Sequence, residues 1–243
     1  MRFDDRLPHE MRPMTLETGV NIYAEGSVLM SYGNTKVLCT ASLEERVPFF
    51  MRGSGKGWIT AEYAMLPRAT DKRNTRERGR EGLSGRSQEI QRLIGRSMRT
   101  VFNLDDLGER SLLIDCDVLQ ADGGTRTASI TAAWVAIMLA MNGLVLENKL
   151  KRIPVRSQAA AVSVGMVDNE LLLDLCYQED SRAEVDMNVV LTTSGQLIEV
   201  QGTGETSTFS RQQLSAMLDM AEAGLQEVFA LQRNALHERQ VHW

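Results

Sequence analysis

Asp122, Gly123, Gly124, Thr125, Arg126 and Thr127 place a glycine pair, two hydroxyls and a guanidinium in six consecutive positions. Such a set can hold phosphate. Glycine lets the backbone approach an anion, a helix start presents free N–H groups with partial positive charge, and arginine adds a two-pronged donor. The same residues also suit a tight Gly-Gly turn with a solvated arginine, because glycine-rich turns are common.

A second cluster favours the anion. Residues 68–99 carry ten Lys or Arg against four Asp or Glu, a window of about +6 in a chain of net charge −5, so the remainder is near −11. A basic tract inside an acidic protein points to a polyanionic partner met at one surface. Its first part, residues 68–85, is rich in Arg and Gly without an apolar period and reads as a mobile arm or loop. Arg68, Arg73 and Arg76 lie there, as an RNA clamp or as a plain surface loop. Then Ile90, Leu93, Ile94, Met98 and Val101 recur at helical spacing, predicting a helix over 86–102 with Ser87 at its N-cap and Arg86 at its start. Arg92, Arg96 and Arg99 read as its solvated face.

The third cluster is acidic, residues 179–188. Val185, Met187, Val189 and Leu191 alternate with polar neighbours, which puts Asp186 on a strand and Asp180 in the loop before it. Carboxylates converging at a strand end suit Mg²⁺ or Mn²⁺, and one of them can give a proton to a leaving alkoxide. A polar strand edge has the same appearance.

These sites need elements to position them. Residues 111–120 are apolar and β-prone, with Asp115 and Asp117 on one face; from Ala128 the chain is apolar on nearly every side, as in a helix buried between layers, and Gly143 suits its C-terminal cap. Hairpins are predicted around Gly33-Asn34-Thr35, Asp168-Asn169 and Ser194-Gly195, so strand pairing is largely antiparallel and a doubly wound nucleotide fold is disfavoured. Ser210 and Gln213 form a capping box ahead of a long helix with one apolar stripe. Only residues 144–156 resemble a surface connection between halves.

With 243 residues and 43% hydrophobic content, the chain can bury a core as one domain or two closely packed halves. Cys39, Cys116 and Cys176 are odd in number and set in apolar runs, so buried reduced thiols of a cytoplasmic protein are expected, without zinc and without a membrane partner. The three histidines lie near the ends of the chain, which disfavours histidine acid–base chemistry. Gly53-Ser54-Gly55-Lys56-Gly57 departs from a nucleotide phosphate loop at both of its defining ends.

RPMTLE from Arg12, AEGSVL from Ala24, TKVLCTASLEE from Thr35, GWITAEYAMLPRAT from Gly57, EIQRLIGR from Glu89, DCDVLQADGGTRTASITAA from Asp115, DMNVVLT from Asp186 and IEVQGT from Ile198 resemble the ribonuclease PH family nearly end to end. The resemblance implies an α+β fold of the ribosomal protein S5 domain 2-like class, mixed sheets with packed helices in a pair of βαβ-type layers, and one catalytic domain over residues 1–243. It implies a phosphate-dependent 3′-to-5′ exoribonuclease, or tRNA nucleotidyltransferase, that trims tRNA precursors and acts on rRNA and other structured RNA. Inorganic phosphate would be held at Arg86, Gly124, Thr125 and Arg126, and Mg²⁺ or Mn²⁺ at Asp180 and Asp186. Arg126 and the two aspartates would be catalytic, Arg68, Arg73 and Arg76 would bind tRNA, and six copies would form a trimer of dimers. A non-catalytic ring subunit and a hydrolytic nuclease remain as other classes.

Overall fold

Strands β1 (Met14–Thr18), β2 (Gly26–Tyr32), β3 (Thr35–Glu44), β4 (Trp58–Met65) and β5 (Ser111–Gln120) form one sheet in the order β1-β2-β3-β5-β4. The structure, a computed structural model, describes residues 2–77 and 82–243. All neighbours in this sheet are antiparallel except β4 and β5, which run parallel because helix α1 (Gly85–Val101) carries the chain back between them. A one-turn helix α2 (Leu104–Leu107) leads into β5, and β5 delivers the Gly123-Gly124 turn that opens helix α3 (Thr125–Leu146).

The second sheet contains β6 (Ala159–Val167), β7 (Glu170–Leu173), β8 (Val185–Thr192) and β9 (Leu197–Gly204) in the order β7-β6-β8-β9, antiparallel throughout. A short helix α4 (Tyr177–Asp180) lies between β7 and β8, and α5 (Arg211–Glu238) closes the chain against β6. Helix α3 sits between the sheets, touching β2 and β3 on one side and β6 and β8 on the other. That placement explains its lack of a polar face: a helix covered on all sides has no stripe to expose. Gly26 makes the approach possible, since a Cβ there would stand 1.9 Å from the Ala136 carbonyl oxygen. One continuous apolar cluster runs from β2 and β3 through α3 to β6, β8 and α5. Among the described residues α3 alone has the length and apolarity of a membrane span, and it is largely buried in this core.

The three hairpins and the capping box of α5 stand where the sequence places them. Asp168 and Asn169 both adopt left-handed φ values, 53° and 61°, as a tight turn matched to the strand twist requires. Several boundaries move. Helix α3 begins at Thr125 rather than Ala128 and continues past Gly143, because buried Leu144 still packs on the core and the Glu147 N–H donates back to the Gly143 carbonyl. The N-cap of α1 is Ser84, whose hydroxyl accepts from the Ser87 N–H; Ser87 itself is buried inside the first turn. Asp180 ends the short helix α4 instead of lying in a loop. Arg99 is not a solvated helix residue: its guanidinium lies 4.5 Å over the Trp58 ring and donates to the Ile59 carbonyl at 2.8 Å. Arg92 and Arg96 are exposed as expected.

Candidate active site

The turn after β5 takes a conformation that only glycine adopts freely. Gly123 and Gly124 have φ of 74° and 67°, the left-handed region that glycine enters without steric penalty. Gly123 also packs against the segment before α4, where a Cβ would lie 2.4 Å from the Leu175 carbonyl oxygen. The Thr35 hydroxyl donates to the Gly123 carbonyl at 2.6 Å and accepts from the Asp122 N–H at 2.9 Å. Carbonyl dipoles are thereby tied back into the protein. Among the described residues no side chain caps the N-terminus of α3, so the N–H groups of its first turn, which lack intrahelical acceptors, are left with the positive end of the helix dipole.

Helix α1 and strand β9 supply the walls. Arg126 donates to Gln201 Oε1 at 3.0 Å and lies 3.6 Å from Glu89 Oε2, while Gln201 Nε2 donates to Glu89 Oε1 at 2.9 Å. This three-residue tether aims the guanidinium, with Glu89 as its ion-pair partner at 3.6 Å. Thr125 is buried and its hydroxyl lies 2.8 Å from the Tyr63 hydroxyl. Burial pushes the Tyr63 phenol up, and the charges of Arg86 and Arg126 work in the opposite direction. Arg86, in the first turn of α1, is exposed and close enough for its charge to be felt at Tyr63, Asp180 and Asp186.

Two carboxylates, from α4 and β8, approach the same charges, those of Arg86 and Arg126. Asp186, the second residue of β8, faces Gly165 of β6 and Thr203 of β9 in register. Burial raises its carboxyl to about 6, and the Asp180 charge adds to the rise. Asp180 is raised too, first by burial, with Arg86 and Arg126 opposing. Asp186 Oδ2 accepts from Asn188 Nδ2 at 3.4 Å, whereas its Oδ1 is buried without a hydrogen-bond partner among the described residues. Glu179 does not join them. Its carboxylate turns away to a buried ion pair with Arg2 at 2.8 Å.

The family model for domain 1 of the 3′ exoribonuclease family matches residues 10–141, and the model for domain 2 matches residues 157–224. The chain belongs to the 3′ exoribonuclease family. Ribonuclease PH of Geobacillus sp. (strain WCH70) is 57% identical over 239 residues, covering 98% of this chain and 94% of that protein. Ribonuclease PH of Bacillus pumilus (strain SAFR-032) is 56% identical over 234 residues, covering 96% and 97%. In the solved Archaeoglobus fulgidus exosome with RNA bound to the active site, one chain superimposes with a TM-score of 0.79 at 22% identity, over 94% of this chain and 91% of that one. Rice Rrp46 also gives 0.79, at 18% identity over 97% and 100%, and both likenesses bear on the fold. With its full-length similarity to ribonuclease PH, the chain is a phosphate-dependent 3′-to-5′ exoribonuclease, a tRNA nucleotidyltransferase.

In this 3′ exoribonuclease the sequence-predicted residues divide into a centre and a rim. Arg86, Gly124, Thr125, Arg126, Asp180 and Asp186 converge on the start of α3. Arg68, Arg73 and Arg76 are exposed on the loop after β4, whose root is fixed beside the centre by the Ala121 N–H donating to the Ala69 carbonyl at 2.8 Å. Residues 78–81 of the predicted arm lie outside the described residues. Tyr63, Glu89, Gln201, Arg12 and Asp174 were not singled out from sequence. Glu89 carried a weak signal, one turn after Arg86 on the same helix; Asp174 and Gln201 carried none, because their partners are distant in the chain.

Proposed function

We propose that Arg86, the Gly124 and Thr125 backbone and Arg126 bind inorganic phosphate, and that Asp180 and Asp186 serve the chemistry on the opposite wall. The supporting observation is the uncapped start of α3, flanked by Arg126 and facing two carboxylates whose protons are held unusually tightly. Nucleophile and target are both anions. Fixed N–H dipoles and two guanidinium groups offset their repulsion while holding phosphate in line with the last phosphodiester. A phosphate oxygen attacks that phosphorus, the 3′ oxygen of the penultimate nucleotide departs, and a nucleoside 5′-diphosphate is released. Bond for bond the exchange is close to balanced, so excess nucleoside diphosphate extends the chain instead.

Mg²⁺ or Mn²⁺ fits the acidic wall. Asp186 Oδ1, without a partner among the described residues, and two mutually repelling half-buried carboxylates are relieved by a hard divalent cation, and two protein ligands suit an ion that keeps waters and substrate oxygens as its remaining ligands. When bound, it supplies charge neutralisation at the reacting oxygens. Burial raises both Asp180 and Asp186, and a carboxyl of this pair can carry a proton to the departing 3′ oxygen. Arg68, Arg73 and Arg76 hold the body of a tRNA precursor, rRNA or other structured RNA by its phosphates. The unit of action is one catalytic domain over residues 1–243, assembled as a homohexameric trimer of dimers in the cytoplasm. The exposed Ile22, Tyr23, Phe49 and Phe50 support assembly by offering apolar contact surface, and the three free buried thiols suit a reducing compartment.

Chromatography of products from 3′-labelled RNA, with and without phosphate, tests this assignment. Wild type should release nucleoside diphosphate only with phosphate, and Arg126→Ala should release almost none. Monophosphate release without phosphate would indicate hydrolysis, and undiminished diphosphate from Arg126→Ala would move the phosphate site elsewhere.

A further inference from the structure

Three arginines near the start of the chain run into the protein rather than outward. Arg12 is buried and forks onto buried Asp174, Nε to Oδ2 at 2.9 Å and Nη2 to Oδ1 at 2.6 Å, while its own backbone N–H donates to Oδ2 at 2.9 Å. The remaining Arg12 donor, Nη1, reaches the Asp122 carbonyl, and Nη2 also lies 3.5 Å from the Gly123 carbonyl. Asp174 adopts a φ of 53°, an unfavourable conformation for a residue with a side chain, and its carbonyl accepts from Arg2 at 3.0 Å and from Arg6 at 3.2 Å. Arg2 then forks onto Glu179, both contacts 2.8 Å, and Glu179 accepts from the Cys176 N–H at 3.0 Å, fixing the helix that ends in Asp180.

We infer that Arg12 with Asp174, and Arg2 with Glu179, are positioning residues that set the two walls of the active site from one buried network. Arg12 holds the carbonyls of the turn so that the α3 N–H groups face phosphate; Arg2 holds Asp180. The network joins a turn from the first sheet to a helix from the second, and burying five charged side chains there is retained only where satisfied geometry repays desolvation. The inference rests on the phosphate and carboxylate assignments proposed above.

Its test is a split between the walls. Arg12→Lys keeps the charge but cannot hold Asp174 and both carbonyls together, so the phosphate KM should rise about tenfold with kcat at saturating phosphate and RNA Kd little changed. Arg2→Lys should instead lower kcat and shift the Mg²⁺ titration midpoint upward while the phosphate KM stays near wild type. Thr35→Val removes only the hydroxyl tie to the same turn and should repeat the Arg12→Lys pattern in a milder form; it decides the matter if Arg12→Lys does not fold. Wild-type phosphate KM in a folded Arg12→Lys or Thr35→Val protein would overturn the inference, as would KM and metal midpoint moving together in proportion to lost thermal stability. Arg126→Ala run alongside separates the two levels. If it leaves both phosphate KM and kcat unchanged, the cradle assignment fails; if it lowers kcat/KM for phosphate while Arg12→Lys and Thr35→Val do not, only the positioning inference does.

Discussion

At the scale of single residues, electrostatics sets the expectations. Arg126→Ala removes a charge-assisted fork from the transition state and should slow phosphorolysis about a hundredfold, near 3 kcal/mol, while RNA binding measured by filter retention survives. Asp186→Asn should slow degradation and chain extension alike, because both directions share one transition state. It should also stabilise the fold. A carboxyl held at about 6 in the folded chain, against an ordinary 3.8, binds its proton more tightly when folded, so its stabilisation is present below pH 3.8 and lost as pH rises through 6. In metal-free buffer at pH 8 the Asn variant should therefore melt higher than wild type, by up to about 3 kcal/mol, with Mg²⁺ narrowing the gap by stabilising wild type alone. An Asn variant that melts lower at pH 8 would show that the carboxylate is paired after all. Much of this centre was legible: Gly-Gly-Thr-Arg and the alternating Asp186 strand are local patterns. Arg12–Asp174 was not, because an ion pair spanning most of the chain leaves no mark on the neighbours of either residue.

At the scale of elements, the loop after β4 carries the next prediction. Arg68, Arg73 and Arg76 are exposed, and the loop is rooted beside the catalytic turn, so together they extend the positive surface away from the centre. Replacing all three with Ala should weaken binding of a tRNA precursor and flatten the dependence of log Kd on log salt by up to about three counterions, while turnover of a tetranucleotide changes little. Equal losses on both substrates, with oligomeric state intact by sedimentation, would mean that the loop shapes the active site. Hairpins and the α5 capping box were readable because turn residues and caps act over a few positions. The start of α3 was misplaced by three residues since Thr125 and Thr127, on either side of Arg126, are weak helix formers held there by tertiary contacts, among them the Thr125–Tyr63 hydroxyl pair. The solvated reading of Arg99 failed for a similar reason: Trp58, its stacking partner, lies on β4.

At the scale of the whole molecule, α3 is both the core of the fold and the support of the active site. Its middle is clamped between the two sheets and its first turn presents the proposed phosphate cradle, so packing around Ala136 and the placement of Arg126 are carried by one rigid rod. The two family-model segments, 10–141 and 157–224, share this helix as common core, with α3 in the first and its cover from β6 and β8 in the second. Calorimetry should accordingly show a single transition rather than one for each segment, and the fragment 1–156 expressed alone should expose the bare side of α3 and bind a hydrophobic dye. Gly26 offers a finer probe because it lies on β2, at the crossing with α3 and away from the cleft. Gly26→Ala places a methyl 1.9 Å from the Ala136 carbonyl oxygen, and neither backbone can yield without moving the helix off the sheet. The expected loss is about 3 kcal/mol or more, with a raised phosphate KM in whatever fraction stays folded, because a displaced α3 carries its N-terminus with it. A Gly26→Ala protein with wild-type stability and wild-type phosphate KM would show that the helix is seated with slack, and the coupling between core and cradle would have to be abandoned.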